Sequence, residues 1–226
     1  MEIKYLGHSC FVISDQQTSL LLDPFISGNP LAAAIAVDQL TPDYILISHG
    51  HQDHVLDVET VYQQCQATVV ANFEVANWFQ SKGMDRVIPM NQGGLIELGS
   101  ARVKLVHAVH SSSMPDGSYG GNPVGFVIEI GDRALYYAGD TALHQDMKQI
   151  KQQRSLDLAI LPIGGHFTMG LEDALEAADY VGCNRVLGMH YDTFPAISID
   201  HQTSKNLAES QGKDLILMQI GTFITL

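Results

Sequence analysis

Short apolar runs rich in Val, Ile and Leu, separated by turn residues such as Asp15-Gln16-Gln17, open the chain at residues 3–6, 10–13, 20–23 and 44–47. This pattern predicts strands. After His54 the spacing becomes helical, predicting helices over 58–65 and over 72–83, the latter between the N-cap residue Asn72 and Gly83. Strands are predicted next at 86–89, 95–98, 103–109, 124–130 and 134–138, punctuated by Gly93-Gly94, Gly99-Ser100 and Gly131-Asp132. From Leu143 the order alternates: helices over 143–153, 171–181 and 202–211, and strands over 158–162, 185–189, 214–219 and 223–226. Two similar halves of strands flanked by helices imply an α/β fold, a four-layer αβ/βα sandwich. No repeat, low-complexity tract or linker interrupts the chain, so one domain over 1–226 is expected.

Composition narrows the function. The 226 residues are 46% hydrophobic and 16% charged, which excludes a disordered chain. With 12 Lys and Arg against 25 Asp and Glu, the net charge is −13. Nucleic-acid affinity rests on Lys and Arg displacing counterions, so no nucleic-acid partner is expected, and no membrane surface either. The longest apolar run, 31–37, is far below the ~18 residues that span a bilayer. The start lacks a basic segment followed by an apolar one, so a cytoplasmic location is expected. Cys10, Cys65 and Cys183 are scattered, as suits reduced thiols.

The ten histidines change the picture, because several sit beside Gly, Asp or Ser in loop-like segments. The densest stretch is Ser48-His49-Gly50-His51-Gln52-Asp53-His54, directly after an apolar strand. Three imidazoles and a carboxylate so close together are costly in a loop unless something binds them. Neutral imidazole and carboxylate oxygen are ligands for Zn²⁺, Mn²⁺ or Fe²⁺.

The pattern His49-x-His51-x-Asp53-His54 resembles the signature of the metallo-β-lactamase superfamily. The resemblance extends to Asp23 in Leu-Leu-Leu-Asp-Pro-Phe, His110 in His-Ala-Val-His-Ser, Asp140 in Tyr-Ala-Gly-Asp-Thr and His190 in Leu-Gly-Met-His-Tyr. Gly7-His8-Ser9, the stretch 162–170 and His190-Tyr191-Asp192-Thr193-Phe194-Pro195 add a likeness to small metal-dependent hydrolases related to the L-ascorbate-6-phosphate lactonase group. The resemblance implies the metallo-β-lactamase fold and two divalent ions, zinc first, with manganese, iron or nickel also suited. His49, His51 and His110 would hold one ion, Asp53, His54 and His190 the other, and Asp140 would bridge them. A hydroxide shared by the two ions would attack a small phosphoester, lactone or related acyl substrate. The pair of cations would attract an anionic substrate although the whole chain is acidic.

Further roles are expectations of the same reading. Asp53 joins catalysis besides holding metal, and Asp23 orients a ligand imidazole. His166, in a Gly-rich turn after a strand, polarises the substrate or protonates the leaving group. His8 and Thr193 line or support the pocket, and Asp192 borders His190. His107 is expected to be a packed core histidine, and His144 and His201 to be solvated. The Ser, Pro and Gly content of 111–123 predicts a mobile rim over the site. The apolar stretch 29–37 would wall the substrate, meet a second subunit or form a short core helix; self-association is expected from the related lactonases. A nuclease would call for a basic exosite, a di-iron oxidoreductase for Glu at position 51, and a non-enzymatic metal-binding scaffold for missing ligands. None of these matches the chain.

Overall fold

A computed structural model describes all residues, 1–226. Fourteen strands form two seven-stranded sheets. The first sheet holds β1 (Glu2–Gly7), β2 (Cys10–Ser14), β3 (Ser19–Leu22), β4 (Tyr44–Ile47), β5 (Thr68–Asn72) and β6 (Val87–Met90) in chain order, with β14 (Phe223–Thr225) beyond β1. The second holds β7 (Leu95–Leu98), β8 (Ala101–His107), β9 (Val124–Ile130), β10 (Arg133–Tyr137), β11 (Leu158–Pro162), β12 (Arg185–Met189) and β13 (Asp214–Ile216), also in chain order. In each sheet the leading strands pair antiparallel and the rest parallel, the change falling at β3/β4 in one and β10/β11 in the other. The fold is an αβ/βα sandwich, as the two-halves pattern implies.

Period-two alternation sorts the side chains between layers. In β3, β4 and β5, Leu20, Leu22, Leu46 and Val70 face the core between the sheets. Leu21, Ile45, Ile47, Val69 and Ala71 face the opposite way, against α2 (Val58–Cys65) and α3 (Phe73–Ser81). Both faces are covered, which is why these strands are apolar throughout. On the second sheet α5 (Leu171–Val181) packs outside β11 and β12, α4 (Met147–Gln153) packs beside α5, and α6 (His201–Ser210) packs against β13. Asn72 caps α3 by accepting from the Val75 N–H at 2.9 Å, and Asp200 caps α6 through the Thr203 N–H at 2.7 Å.

Several element boundaries differ from the pattern. Strand β5 has no counterpart in the expected elements, because its short Val-Val-Ala run lies against the cap of α3 with no turn residue between them. Strand β8 starts at Ala101 and stops at His107, where its pairing with β9 ends at Val124. The helix expected over 143–153 starts at Met147, because the Ala142 N–H is bonded to Val109 O and holds that segment beside the β8 exit. Residues 29–37 form no core helix: one 3₁₀ turn spans Pro30–Ala32, with Leu31 54% exposed, and another begins at Val37.

Candidate metal centre

Strand direction brings the polar residues together. Successive antiparallel pairings make β1 run the same way as β3 and β4, and β8 the same way as β10, β11 and β12. His8 follows β1, Asp23 follows β3 and His49 follows β4. His110, Asp140 and His190 follow β8, β10 and β12. Carboxyl ends of parallel strands are where such sheets present their sites. His51, Asp53 and His54 come from the turn into the one-turn helix α1 (Gln52–Val55). Gly50 between them sits in close quarters, since a Cβ there would stand 2.5 Å from Met114 Sδ and 3.1 Å from Ser113 O.

The side chains form two triads. Donor atoms of His49, His51 and His110 lie within 4.8 Å of one another, as do those of Asp53, His54 and His190 together with His8. Asp140 Oδ2 stands between them: 3.1 Å from His190 Nε2, 3.3 Å from His54 Nε2, 3.6 Å from His110 Nε2 and 4.0 Å from His49 Nε2. Donors around a tetrahedral ion at bonds near 2.0–2.1 Å are about 3.4 Å apart, so this spacing suits metal coordination. His54 Nε2 and Asp140 Oδ1 are buried without a hydrogen-bond partner, as donors meant for a cation would be. The residues fit a divalent ion on geometry and on donor chemistry.

The local fields support that fit. Burial, reinforced by neighbouring imidazoles, holds His49 well below its ordinary pKa; His51 and His110 are lowered chiefly by burial. All three are therefore neutral, the form that ligates. Burial opposes charge on Asp140, yet His190 and His54 keep its carboxyl well below the usual range. Asp53 is likewise lowered against burial, by His54, by the nearby His190 imidazole and by a hydrogen bond from His8. Reciprocally, Asp140 outweighs burial at His190 and pushes it up to about 9, and Asp140, Asp53 and Asp23 raise His54.

Behind the triads, Asp23 is fully buried and accepts four hydrogen bonds: from the Ser48 N–H at 2.7 Å, Ser48 Oγ at 2.5 Å, His54 Nδ1 at 2.8 Å and Tyr137 OH at 2.7 Å. The His54 bond puts its proton on Nδ1 and aims Nε2 inward. The Ser48 hydroxyl donates to Asp23 and so accepts from His49 Nδ1, 3.0 Å away, which fixes His49 the same way. One carboxylate thus orients an imidazole in each triad. His8 does the corresponding work for Asp53: its Nε2 donates to Asp53 Oδ2 at 3.1 Å, and its Nδ1 accepts from Thr193 Oγ1 at 2.9 Å. Burial lowers His8 to about 4, consistent with this neutral tautomer.

A family model for the beta-lactamase superfamily domain matches residues 2–190. The chain belongs to the metallo-β-lactamase superfamily. Among its relatives, a UPF0173 metal-dependent hydrolase of Flavobacterium johnsoniae is 49% identical over 226 residues, covering 100% of both chains. Another of that family, from Thermus thermophilus, is 43% identical over 94% of this chain and 93% of its own. Among solved structures, Igni18, a metallo hydrolase of the archaeon Ignicoccus hospitalis, superposes with a TM-score of 0.89 at 32% identity, covering 99% of this chain and 97% of that one.

In this superfamily member an open cavity of about 750 Å³ faces the triads. His51, Asp53, His110, Asp140 and His190 form its floor, and Gln52, Ser111, Phe167, Phe194, Pro195 and Ala196 complete the wall. The aromatic residues and Ser48 and Tyr137 carry no role in the sequence reading. Phe167 and Phe194 follow Gly- and His-containing strand exits, which is the signal that marks them.

Other predicted residues fall elsewhere. His166 is exposed with left-handed backbone (φ 56) and stacks edge-on against Phe167; it is absent from the cavity wall and hydrogen-bonds to none of the cluster. His107 is exposed instead of packed in the core, because β8 ends there and the alternation ends with it. His144 is not solvated: its ring lies edge-on to His107, centroids 5.1 Å apart, with both nitrogens buried. His201 is exposed, as expected, and pairs with Asp192 at 2.6 Å. The stretch 111–123, expected as a mobile rim, is held at several points by hydrogen bonds. Gly120 N–H bonds Ser112 O, Asn72 Nδ2 bonds Gly120 O and Asn122 O, and Trp78 Nε1 bonds Asp116.

Proposed function

We propose that the protein is a binuclear hydrolase of uncharged acyl substrates: lactones, esters, thioesters or amides with an apolar flank. His49, His51 and His110 would hold one ion, zinc by the donor set, Asp53, His54 and His190 would hold a second, and Asp140 lies between the two triads. The observation that carries this reading is the position of Asp140 Oδ2, within 3.1–4.0 Å of imidazole nitrogens from both triads. Metal-dependent hydrolysis is the activity for which the curated relatives and Igni18 are named.

Bound there, a cation pair supplies Lewis acidity and lowers the pKa of water toward neutrality. The rest falls to the chain. Asp53, 28% exposed at the cavity floor, takes a proton from the attacking water and passes it to the leaving group, held in aim by His8. His166 is given no role in this step, because it does not line the cavity, although its neighbour Phe167 does. Phe167, Phe194 and Pro195 exclude water from one side of the substrate.

The wall also narrows the substrate. It contains neither Lys nor Arg, so a phosphate group would find no side-chain counter-charge there. We therefore read the substrate as a neutral acyl group, against the anionic substrate that the sequence leads one to expect from the cation pair.

The test is metal analysis of the purified protein together with turnover of p-nitrophenyl acyl esters, a lactone series and p-nitrophenyl phosphodiesters, with and without chelator. At least two equivalents of metal and chelator-sensitive acyl hydrolysis are expected. Phosphodiester turnover exceeding acyl turnover would reverse the substrate assignment, and a single equivalent would remove the binuclear one.

A further inference from the structure

We propose that His107, His144 and Asp146 form an additional transition-metal site, separate from the seven-residue centre. One donor atom from each lies within 4.8 Å of the other two. They line a cavity of about 270 Å³ outside the end of β8, to which none of the seven residues contributes.

The chemistry of His144 carries the inference. A neutral imidazole offers one N–H and one lone pair, and both need a partner when shut away from water. Both ring nitrogens of His144 are buried, and neither has a hydrogen-bond partner. Burial, and then the proximity of His107, lower its pKa, so the ring is neutral and its lone pair available. His107 stands edge-on to it at 89°, and Gln92 Oε1, 3.2 Å from His107 Nδ1, orients that ring. Asp146 adds an exposed carboxylate. Two imidazoles and a carboxylate suit Zn²⁺, Ni²⁺ or Cu²⁺, with the remaining positions left to water. Lys104, the only Lys or Arg in the cavity wall, is engaged at 2.5 Å with Gln153 Oε1.

Two parallel segments separate this site from the main centre. His107 and His110 lie on one, Asp140 and His144 on the other. Val109 N–H to Thr141 Oγ1 (2.9 Å) and Ala142 N–H to Val109 O (3.0 Å) tie the two together. An ion gripped by His107 and His144 would cross-link the same pair of segments that carries His110 and Asp140.

Zinc titration of chelator-stripped protein, by calorimetry and equilibrium dialysis, tests the site. Wild type should bind one equivalent more at micromolar free zinc than His107→Ala, Asp146→Asn or His144→Ala. His107 and Asp146 are exposed, so their variants keep the fold even where His144→Ala does not. The difference of one equivalent should persist in a His190→Ala background, which makes failure of this site distinguishable from failure of the main centre. Equal stoichiometry in wild type and the exposed-residue variants, or an extra equivalent bound only at millimolar zinc, would overturn the proposal.

Discussion

The backbone N–H of His190 donates to the carbonyl of His8 at 2.9 Å, and both residues hold left-handed backbone, with φ of 56 and 55. Such backbone costs on the order of 1–3 kcal/mol per residue and persists only where surroundings enforce it. Here it joins the exit of β1 in one sheet to the exit of β12 in the other and sets the two rings 4.2 Å apart. His8→Ala should leave the joint but release Asp53. The expected result is a metal affinity lower by about 10–100-fold at the Asp53 triad. Chelator competition measures it, and wild-type affinity would show that His8 does not hold Asp53.

Asp23→Asn should harm both triads at once, because Asp23 orients His54 directly and His49 through Ser48. Loss of about 10–100-fold in affinity at each ion is expected. Melting temperature should fall as well, since the amide cannot accept from all four donors. Differential scanning calorimetry and metal competition together check this; a loss confined to one ion would show that the Ser48 relay to His49 is idle.

Asp140→Asn should reduce bound metal while sparing the fold, because its contacts are with the ligand imidazoles and not with the apolar core. Inductively coupled plasma analysis should show fewer equivalents, with an unchanged far-ultraviolet circular dichroism spectrum. Full metal content would contradict the bridging position.

Phe194→Ala should raise KM for an apolar acyl ester more than it lowers kcat, with kcat/KM falling roughly tenfold. Steady-state kinetics on a chain-length series would show the penalty growing with the apolar group. An equal loss for acetyl and longer esters would place the substrate away from Phe194.

Protein stripped of metal should lose stability as pH rises from about 6.5 to about 9. Burial opposes charge on His190, but Asp140 raises its pKa from 6.5 to about 9 in the folded state. That imidazole's contribution is complete below about 6.5 and lost as pH passes through about 9. His49 is shifted the opposite way, so its contribution is present above 6.5 and lost on acidification. A melting curve of stripped protein that rises across pH 6.5–9 would refute the assignment; the metal-loaded form should change less, because a cation displaces the proton.

Strand exits made the centre readable. Asp23, His49, Asp140 and His190 each follow an apolar run, and an apolar run ending in a ligand-type residue is visible without coordinates. The environments of His107 and His144 are not legible in the sequence, because they depend on where β8 stops and where α4 starts, which pairing with β9 and the Ala142–Val109 bond decide. Likewise β5, a central strand, lacked the turn residues that would set it off from α3. The left-handed conformation of His8, Asp23 and His190 has no sequence signature, since none is glycine.

The seven donors are divided by the boundary between the sheets: His49, His51, Asp53 and His54 arise from the first half of the chain, His110, Asp140 and His190 from the second. Neither half owns a complete ligand set. On the proposed assignment, metal capture and docking of the halves are one equilibrium viewed from two sides. Ions added to a protein split between β6 and β7 should recruit one fragment to the other, and ions withdrawn from the intact chain should loosen the seam before either sheet unravels.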